Sequence, residues 1–318
     1  MNRYKKIGYF AFATTSFLSG VSFVNHLIFK VNCMKETLYS KNSNYYQWRF
    51  GKIFYTKQGK GQPLLLIHDI SCDGNEKEWV SLVDQLAKQY TVYTLDLLGC
   101  GRSDKPKITY TSFLYVQLIN DFIKNVIGKK TNVMATGKSA SIVVMACHFE
   151  NEYYDKICLI NPENKKNLYR IPRVKQKFSK ILFECPILGT SIYLYGMRKK
   201  NIQKRFETFY YAKKENISKK MVDSYHEAAH LQGSNSKFLC SSLCHQDVNV
   251  NIKDALKQID HSIFMVFGSK EEGYEETLNF YEELNPAIEA TVIPNARHLP
   301  QLEYPNQIIK LCDIFFSV

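Results

Sequence analysis

The amino-acid sequence predicts an α/β protein built on a doubly wound, mostly parallel sheet. Short, continuously apolar segments such as PLLLIHD and KICLINP have the length and composition of strands buried on both faces. Segments with helical spacing of apolar residues, such as KEWVSLVDQLAKQ, follow these strands in turn. Repeated alternation of this kind is typical of a parallel sheet with helices on both faces. A chain of 318 residues suits one such domain carrying an insertion.

The individual elements follow from these patterns in chain order. In order, they are a hairpin in RFGKIFYTKQGKGQ, strand PLLLIHD, helix KEWVSLVDQLAKQ, strand YTVYTLDL, helix FLYVQLINDFIKNVI, strand TNVMAT, helix SIVVMACHFE, strand KICLINP, strand SIFMVFG, helix EETLNFYEEL, strand IEATVIP and helix NQIIKLCDIFF. Between Pro162 and about Asn251 the alternation stops, and the sequence becomes basic, rich in Tyr and Phe, and helical in spacing. We expect a helical lid there, above the carboxyl ends of the strands. The predicted units are an N-terminal segment (1–30), a core (31–161 and 251–318) and the lid (162–250).

The N-terminal segment has the character of a membrane anchor. Arg3, Lys5 and Lys6 precede a run that carries no charge until Lys30, which is long enough to cross a bilayer. We expect an uncleaved anchor, with a cleavable signal peptide or an amphipathic surface helix as alternatives. Because Lys30 and Lys35 follow the run, the charge asymmetry is weak and the side of the membrane stays open.

Composition limits the classes of partner. The formal net charge is +12, but no nucleic-acid-binding motif is present, which favours a membrane surface over nucleic acid. The nine cysteines, several of them inside apolar runs, are expected to be free core thiols. Cys240, Cys244 and His245 lack a nearby second ligand pair, so we predict no metal there.

The segment VMATGKSAS, residues 133–141, admits two interpretations. Gly-Lys-Ser ends a phosphate-binding loop, but the first glycine of that motif would fall at Asn132, inside a strand. The segment also fits a nucleophile elbow, in which a strand, a tight turn and a helix expose a nucleophile. Small residues are needed two positions before and after the nucleophile. For Ser139, Gly137 meets the first requirement, and Ser141, which is small but not glycine, meets the second in part. Ser139 is therefore the candidate nucleophile.

Three further segments lie around the elbow in a characteristic order. They are LLLIHDIS and LDLLGCGRSDKP before it, and IPNARHLPQLEYP near the C-terminus. Together these residues resemble the α/β-hydrolase superfamily from about Trp48 onward. The whole pattern is similar to membrane-anchored α/β-hydrolases of low-GC Gram-positive bacteria.

The resemblance implies roles for individual residues. Ser139 would attack a carbonyl carbon, and His298 would accept its proton. Backbone amides of Ile70 and Ala140 would hold the oxyanion. Where the superfamily usually has His-Gly in this loop, the present chain has Asp69.

The resemblance leaves the acid of the catalytic triad open among three glutamates. Glu271 falls four residues after Phe267, where the superfamily commonly has an aspartate, and Glu272 lies beside it. Glu163, at the end of the strand in LINPEN, is at a second position used by some relatives.

The predicted activity is hydrolysis of an ester, thioester or related acyl bond in a lipophilic substrate, without a cofactor or metal. A scaffold that has the fold but only binds ligands is the alternative. A third interpretation is a zinc metalloprotease, from the motif His226-Glu227-x-x-His230. It lacks its third histidine, because Ser236 occupies that position.

Overall fold

The computed structural model describes residues 3–34, 36–40 and 42–316, and the side chains of these residues except at positions 3–8 and 11. The charges expected at Arg3, Lys5, Lys6 and Lys35 therefore lie outside the described side chains. Eight strands are present in the described ranges: β1 (Ser43–Trp48), β2 (Gly51–Gln58), β3 (Gln62–Ile67), β4 (Tyr90–Leu95), β5 (Thr131–Thr136), β6 (Tyr154–Ile160), β7 (Ile263–Gly268) and β8 (Glu289–Ile293).

The chain also forms fourteen α-helices within the described ranges. They are α1 (Arg3–Asn32), α2 (Val80–Leu86), α3 (Ser112–Phe122), α4 (Gly137–Phe149), α5 (Lys165–Leu168), α6 (Val174–Glu184), α7 (Leu188–Gly196), α8 (Lys199–Arg205), α9 (Lys219–His230), α10 (Lys237–His245), α11 (Lys253–Gln258), α12 (Tyr274–Leu284), α13 (Pro300–Glu303) and α14 (Pro305–Phe316). Short 3₁₀ or π turns occur at Glu76–Trp79, Ile123–Ile127, Asn151–Tyr153, Phe206–Tyr210, Lys214–Asn216 and Gly233–Ser236.

The strands form one sheet in the order β1-β2-β4-β3-β5-β6-β7-β8. The pairs from β4 to β8 are parallel, and the pairs that involve β2 are antiparallel. The predicted mostly parallel α/β sheet is therefore confirmed. One prediction was wrong in detail: the segment expected to be a hairpin forms the single strand β2. Its antiparallel partner is the preceding strand β1, where Trp48 pairs with Gly51 across a tight turn.

Both faces of the sheet are buried. In β3, Leu65 and Ile67 pack into the apolar core on one face, and Leu64 and Leu66 pack into the core on the other. All four side chains are fully buried, as expected for a central strand between two helical layers. All nine cysteines are free, as the sequence predicted.

Helices α5–α11 lie between β6 and β7, in the region where the strand–helix alternation stops. The last of them, α11, begins at Lys253, beyond the predicted end of the insertion at residue 250. We refer to residues 162–250 as the helical insertion.

The N-terminal helix α1 extends from the domain and rests on the helical insertion. From Phe12 to Asn32 it is long and apolar enough to span a membrane, judged by length and composition alone. Its final turns contact the insertion. The Asn25 amide donates to Ser191 Oγ at 3.0 Å, and Phe29 stacks on Tyr193 with ring centroids 6.3 Å apart. The end of α1 is therefore fixed to α7 of the helical insertion.

Candidate active site

The carboxyl edge of the parallel strands gathers the candidate residues. The register pairs Ile67 at the end of β3 with Ala135 in β5, so the residues that follow these strands lie side by side. Asp69 follows β3, and Gly137 opens α4 directly after β5. Glu271 follows β7 and His298 follows β8, the neighbouring strands of the same edge.

The tight turn between β5 and α4 has Gly137 at its apex. Gly137 has φ of +54°, a left-handed conformation that costs residues with a Cβ about 1–2 kcal/mol. A Cβ built on Gly137 would lie 2.4 Å from Asp69 Oδ1 and 2.5 Å from Asp69 Cγ. The Asp69 carboxylate therefore occupies the space that a side chain at the apex would fill.

Ser139 lies two residues beyond the apex, in the first turn of α4. Its side chain is fully buried, and its hydroxyl donates to the backbone carbonyl of His68 at 2.6 Å. The predicted order of strand, turn and helix is present, but the turn places a glycine, rather than this serine, at its apex. The role of Ser139 as nucleophile stays a prediction.

The Asp69 carboxylate is held from two sides. The Lys138 backbone N–H donates to Oδ1 at 2.8 Å, and His298 Nε2 lies 3.7 Å from Oδ2. Burial alone would raise the pKa of Asp69. Contact with His298 and the positive charges of His298 and Lys138 outweigh burial, so its pKa lies below the usual value. Asp69 is therefore ionised at neutral pH.

His298 lies between two carboxylates. Its Nδ1 is 3.1 Å from Glu271 Oε1, while Nε2 faces Asp69 and has no hydrogen-bond partner within the described part of the chain. Burial lowers the pKa of the imidazole, but Asp69 and Glu271 outweigh burial and raise it to about 10. The site thus rests at neutral pH as an imidazolium between two carboxylates.

Of the three candidate acids, the structure brings Glu271 to the histidine. Glu163 instead pairs with Lys138, with Nζ and Oε1 2.6 Å apart, and Glu272 is exposed. The proposed oxyanion donors Ile70 and Ala140 are both buried. The amide directly after the apex residue is that of Lys138, and it is bonded to Asp69.

Sequence reasoning missed Asn161, which positions the histidine loop. The Asn161 amide donates to the carbonyls of Arg297 and His298 at 2.8 and 2.9 Å. Its side-chain oxygen Oδ1 accepts from the Gly268 N–H at 3.1 Å, and the backbone φ of Asn161 is +41°. An asparagine at the end of β6, in a conformation that asparagine tolerates better than most residues, was the only signal in the sequence.

Glu78 is a second residue that the sequence did not reveal. This fully buried carboxylate accepts from the Asp69 N–H at 3.3 Å, from Thr136 Oγ1 and from Tyr225 in α9 at 3.3 Å. Burial raises its pKa to about 7. Glu78 thereby joins the Asp69 loop, the end of β5 and the helical insertion. Nothing in the spacing around Glu78 predicts these contacts.

The His226-Glu227-x-x-His230 motif lies where α9 meets the N-terminal region. The two imidazoles are tilted by 44° with ring centroids 4.4 Å apart, and His230 Nδ1 is bonded to the His226 carbonyl at 2.7 Å. Glu227 accepts from the Thr37 N–H. Within the described ranges, no group of three or more His, Cys, Asp or Glu side chains is arranged to hold a metal ion. Phe29 of α1 lies against His230 with ring centroids 5.8 Å apart, so the motif is part of the packing between α1 and α9.

The overlap of Gly137 with Asp69 predicts a stability effect. Gly137→Ala should lower the free energy of unfolding by about 2–4 kcal/mol, because it adds a clash to the left-handed backbone. Gly233→Ala is the matched control, since Gly233 has φ of +70° with nothing within 4 Å of its added Cβ, and should cost only about 1–2 kcal/mol. Urea unfolding measures both losses. It also shows whether the additional loss at Gly137, relative to Gly233, disappears when Asp69 is replaced by glycine. An equal loss of unfolding free energy at both glycines would contradict the conclusion that the Asp69 carboxylate fills the space beside Gly137.

Comparison with known proteins identifies the fold. Residues 62–169 match the model of the family described as alpha/beta hydrolase fold. The 2-hydroxy-6-oxo-6-(2'-aminophenyl)hexa-2,4-dienoic acid hydrolase of Metapseudomonas resinovorans is 36% identical over 100 residues, 30% of this chain and 34% of that protein. The chain spans about a third of the length of the curated relatives that it matches.

Solved structures agree over a larger part of the chain. The epoxide hydrolase CorEH superposes with a TM-score of 0.69 at 17% identity, over 86% of this chain and 98% of its own. A membrane phospholipase A, a bacterial virulence factor, superposes with a TM-score of 0.67 at 17% identity, over 98% of this chain and 94% of its own. At these identities the likeness shows the fold. The chain therefore has the α/β-hydrolase fold.

Proposed function

We propose that the chain is a hydrolase whose nucleophile is the Asp69 carboxylate, with His298 and Glu271 activating water. The observation that carries this proposal is that the Asp69 carboxylate fills the space beside Gly137 and faces His298. A nucleophile elbow presents its reactive group at that apex. Here the reactive carboxylate is that of Asp69, which follows the neighbouring strand β3.

The charge state of the site supports a carboxylate nucleophile over a serine. With its pKa raised to about 10, His298 is protonated at neutral pH and cannot accept the Ser139 proton. Ionised Asp69, in contrast, needs no base. Its Oδ1 is held by the Lys138 N–H, which leaves Oδ2 on the side of the histidine.

The reaction then divides into two balanced steps. Asp69 attacks an electrophilic saturated carbon, such as an epoxide carbon; the ring C–O bond breaks, and the leaving oxygen takes the proton of His298 Nε2. The result is an Asp69 ester and a neutral His298. His298, oriented by Glu271, then removes a proton from water, which attacks the ester carbonyl carbon of Asp69. Release of the diol regenerates the carboxylate and the imidazolium.

Formation of the ester also explains how one histidine serves both steps. Esterification removes the negative charge of Asp69, which is one of the two groups that raise the pKa of His298. The pKa therefore falls once the intermediate has formed, and His298 becomes a base at neutral pH. Hydrolysis of the ester restores the charge and the high pKa.

The surroundings favour a lipophilic substrate at a membrane. Phe209, from the helical insertion, lies over His298 with ring centroids 4.4 Å apart, and Tyr210 lies 5.9 Å away. The insertion thus acts as an apolar lid over the site. Its contacts with α1 support membrane anchoring through the N-terminal helix, on a side of the membrane that the proposal leaves open.

The second candidate is hydrolysis of an ester or thioester through acyl-Ser139, and the two differ in pH dependence. With Asp69 as nucleophile, kcat/KM on a fluorogenic epoxide should be high at neutral pH and fall as His298 loses its proton near pH 10. With Ser139 as nucleophile, kcat/KM on a matched ester should rise over the same range, since His298 must be neutral. Ester turnover that rises towards pH 10, with Ser139-dependent labelling by a fluorophosphonate, would overturn the proposal. Binding of either substrate without turnover would indicate a scaffold.

A further inference from the structure

Helix α6 of the helical insertion has its apolar face towards solvent. Val174, Phe178 and Ile181 fall on one side of the helix and are 81, 66 and 65% exposed, and Ile171 just before the helix is 78% exposed. No residue of α6 is buried. A soluble domain rarely exposes a contiguous apolar surface of this kind without a partner.

The side of α6 that faces the domain combines apolar and polar contacts. Phe183 packs against the apolar cluster that contains Tyr193 and Leu194. Lys180 Nζ lies 2.7 Å from Asp247 Oδ2. Glu184 Oε1 accepts from the Ser241 hydroxyl of α10 at 3.1 Å. Phe183 and these polar groups attach α6 to the domain, while large apolar side chains on its other side point outward.

The segment around this apolar face is strongly basic. Residues 170–181 contain five cations and no Asp or Glu: Arg170, Arg173, Lys175, Lys177 and Lys180. The first four are exposed, and no ion pair is found for them among the described residues. Apolar side chains flanked by exposed cations are the composition of helices that lie in the interface of an anionic bilayer.

The position of α6 next to α1 agrees with this partner. Pro186 and Ile187, which connect α6 to α7, line a cavity of about 280 Å³ together with Ser22 and Asn25 of α1. Residues 9–20 and 22–24 of α1 are exposed wherever their side chains are described. The connection that follows α6 therefore meets α1 where α1 leaves the domain.

We infer that the apolar face of α6, formed by Ile171, Val174, Phe178 and Ile181, inserts into the interface of an anionic lipid bilayer. This inference rests on the proposed membrane anchoring by α1. An inserted α6 would hold the helical insertion, including Phe209 above His298, against the lipid surface. A lipophilic substrate could then pass from the bilayer to the site.

Fluorescence quenching tests the insertion in the full-length chain. Phe178→Trp is reconstituted in vesicles of phosphatidylglycerol and brominated phosphatidylcholine, and vesicle flotation is measured in parallel. Phe113→Trp on α3 is the matched control, because Phe113 is also well exposed, and native Trp48 and Trp79 are buried and give a constant background. Because brominated acyl chains quench at the depth of an interfacial helix, we expect the added emission of Phe178→Trp to fall by about half or more.

The outcomes separate the two proposals. If the chain floats with the vesicles but brominated lipid quenches Phe178→Trp no more than Phe113→Trp, insertion of α6 is overturned and anchoring by α1 is left intact. A chain that does not float would overturn both. A blue-shifted but unquenched emission from the Phe178→Trp variant that depends on protein concentration would show that a second copy, rather than lipid, covers the face. Equal quenching in vesicles without phosphatidylglycerol would overturn the role of the cations.

Discussion

Asp69→Asn is expected to lower kcat by about a thousandfold or more on an epoxide substrate, because it removes the proposed nucleophile. The amide is almost isosteric, and its oxygen can still accept from the Lys138 N–H at the apex of the turn. The fold should therefore persist, which circular dichroism and urea unfolding would verify. The loss would then be chemical.

Ser139→Ala is the matched comparison for Asp69→Asn. It removes one buried hydrogen bond to the His68 carbonyl and should cost about 1–3 kcal/mol of stability, with kcat within about tenfold of wild type. Steady-state kinetics on both variants distinguishes the two nucleophiles. If Ser139→Ala abolishes turnover while Asp69→Asn retains it, the assignment of Asp69 is wrong.

His298→Gln is expected to stop the reaction after its first half. Without an imidazole, water is not activated against the Asp69 ester, and kcat should fall by about 10²–10⁴-fold. The first step loses only the proton that His298 donates to the leaving oxygen. Because the epoxide ring is strained, its opening depends less on this proton. Rapid quenching should therefore show a burst in which close to one covalent ester forms per enzyme molecule, followed by slow turnover. A variant that turns over without a burst would place the slow step before the covalent intermediate.

Glu271→Gln provides the control for orientation of the histidine. Glu271 contacts Nδ1 of His298 at 3.1 Å, so its loss should weaken base catalysis without removing the base. The burst should persist, and the slow phase should be faster than in His298→Gln. If Glu163→Gln gives this result and Glu271→Gln does not, the triad acid would be reassigned.

Much of the fold could be predicted because its signals are local. The apolar runs that form β3 to β8 and the helical spacing between them are visible within windows of a few residues. The hairpin was misplaced because β1, a largely exposed edge strand, lacks such a run. The resemblance to the superfamily predicted His298 and, as one of three candidate acids, Glu271, and the sheet places both after neighbouring strands.

The centre of the site depends on contacts between distant segments, which no local pattern reveals. GKSAS matches an elbow with Ser139 at its apex, but β5 continues to Thr136 and only Gly137 accepts the turn beside Asp69. The carboxylate and the amide that it accepts from are 69 positions apart. Asp69 was visible in the sequence only as a departure from His-Gly. Its role could be proposed only once the structure showed that its carboxylate lies against the backbone of Gly137 and Lys138.

The location of the covalent adduct tests the central claim most directly. His298→Gln is incubated with an epoxide, quenched in acid and digested with trypsin, which separates Asp69 in peptide 61–77 from Ser139 in peptide 139–156. Fragmentation by mass spectrometry then finds the modified side chain. The proposed mechanism predicts a substrate ester on Asp69 that hydroxylamine removes. An adduct on Ser139, or no adduct on either peptide while substrate is consumed, would contradict it.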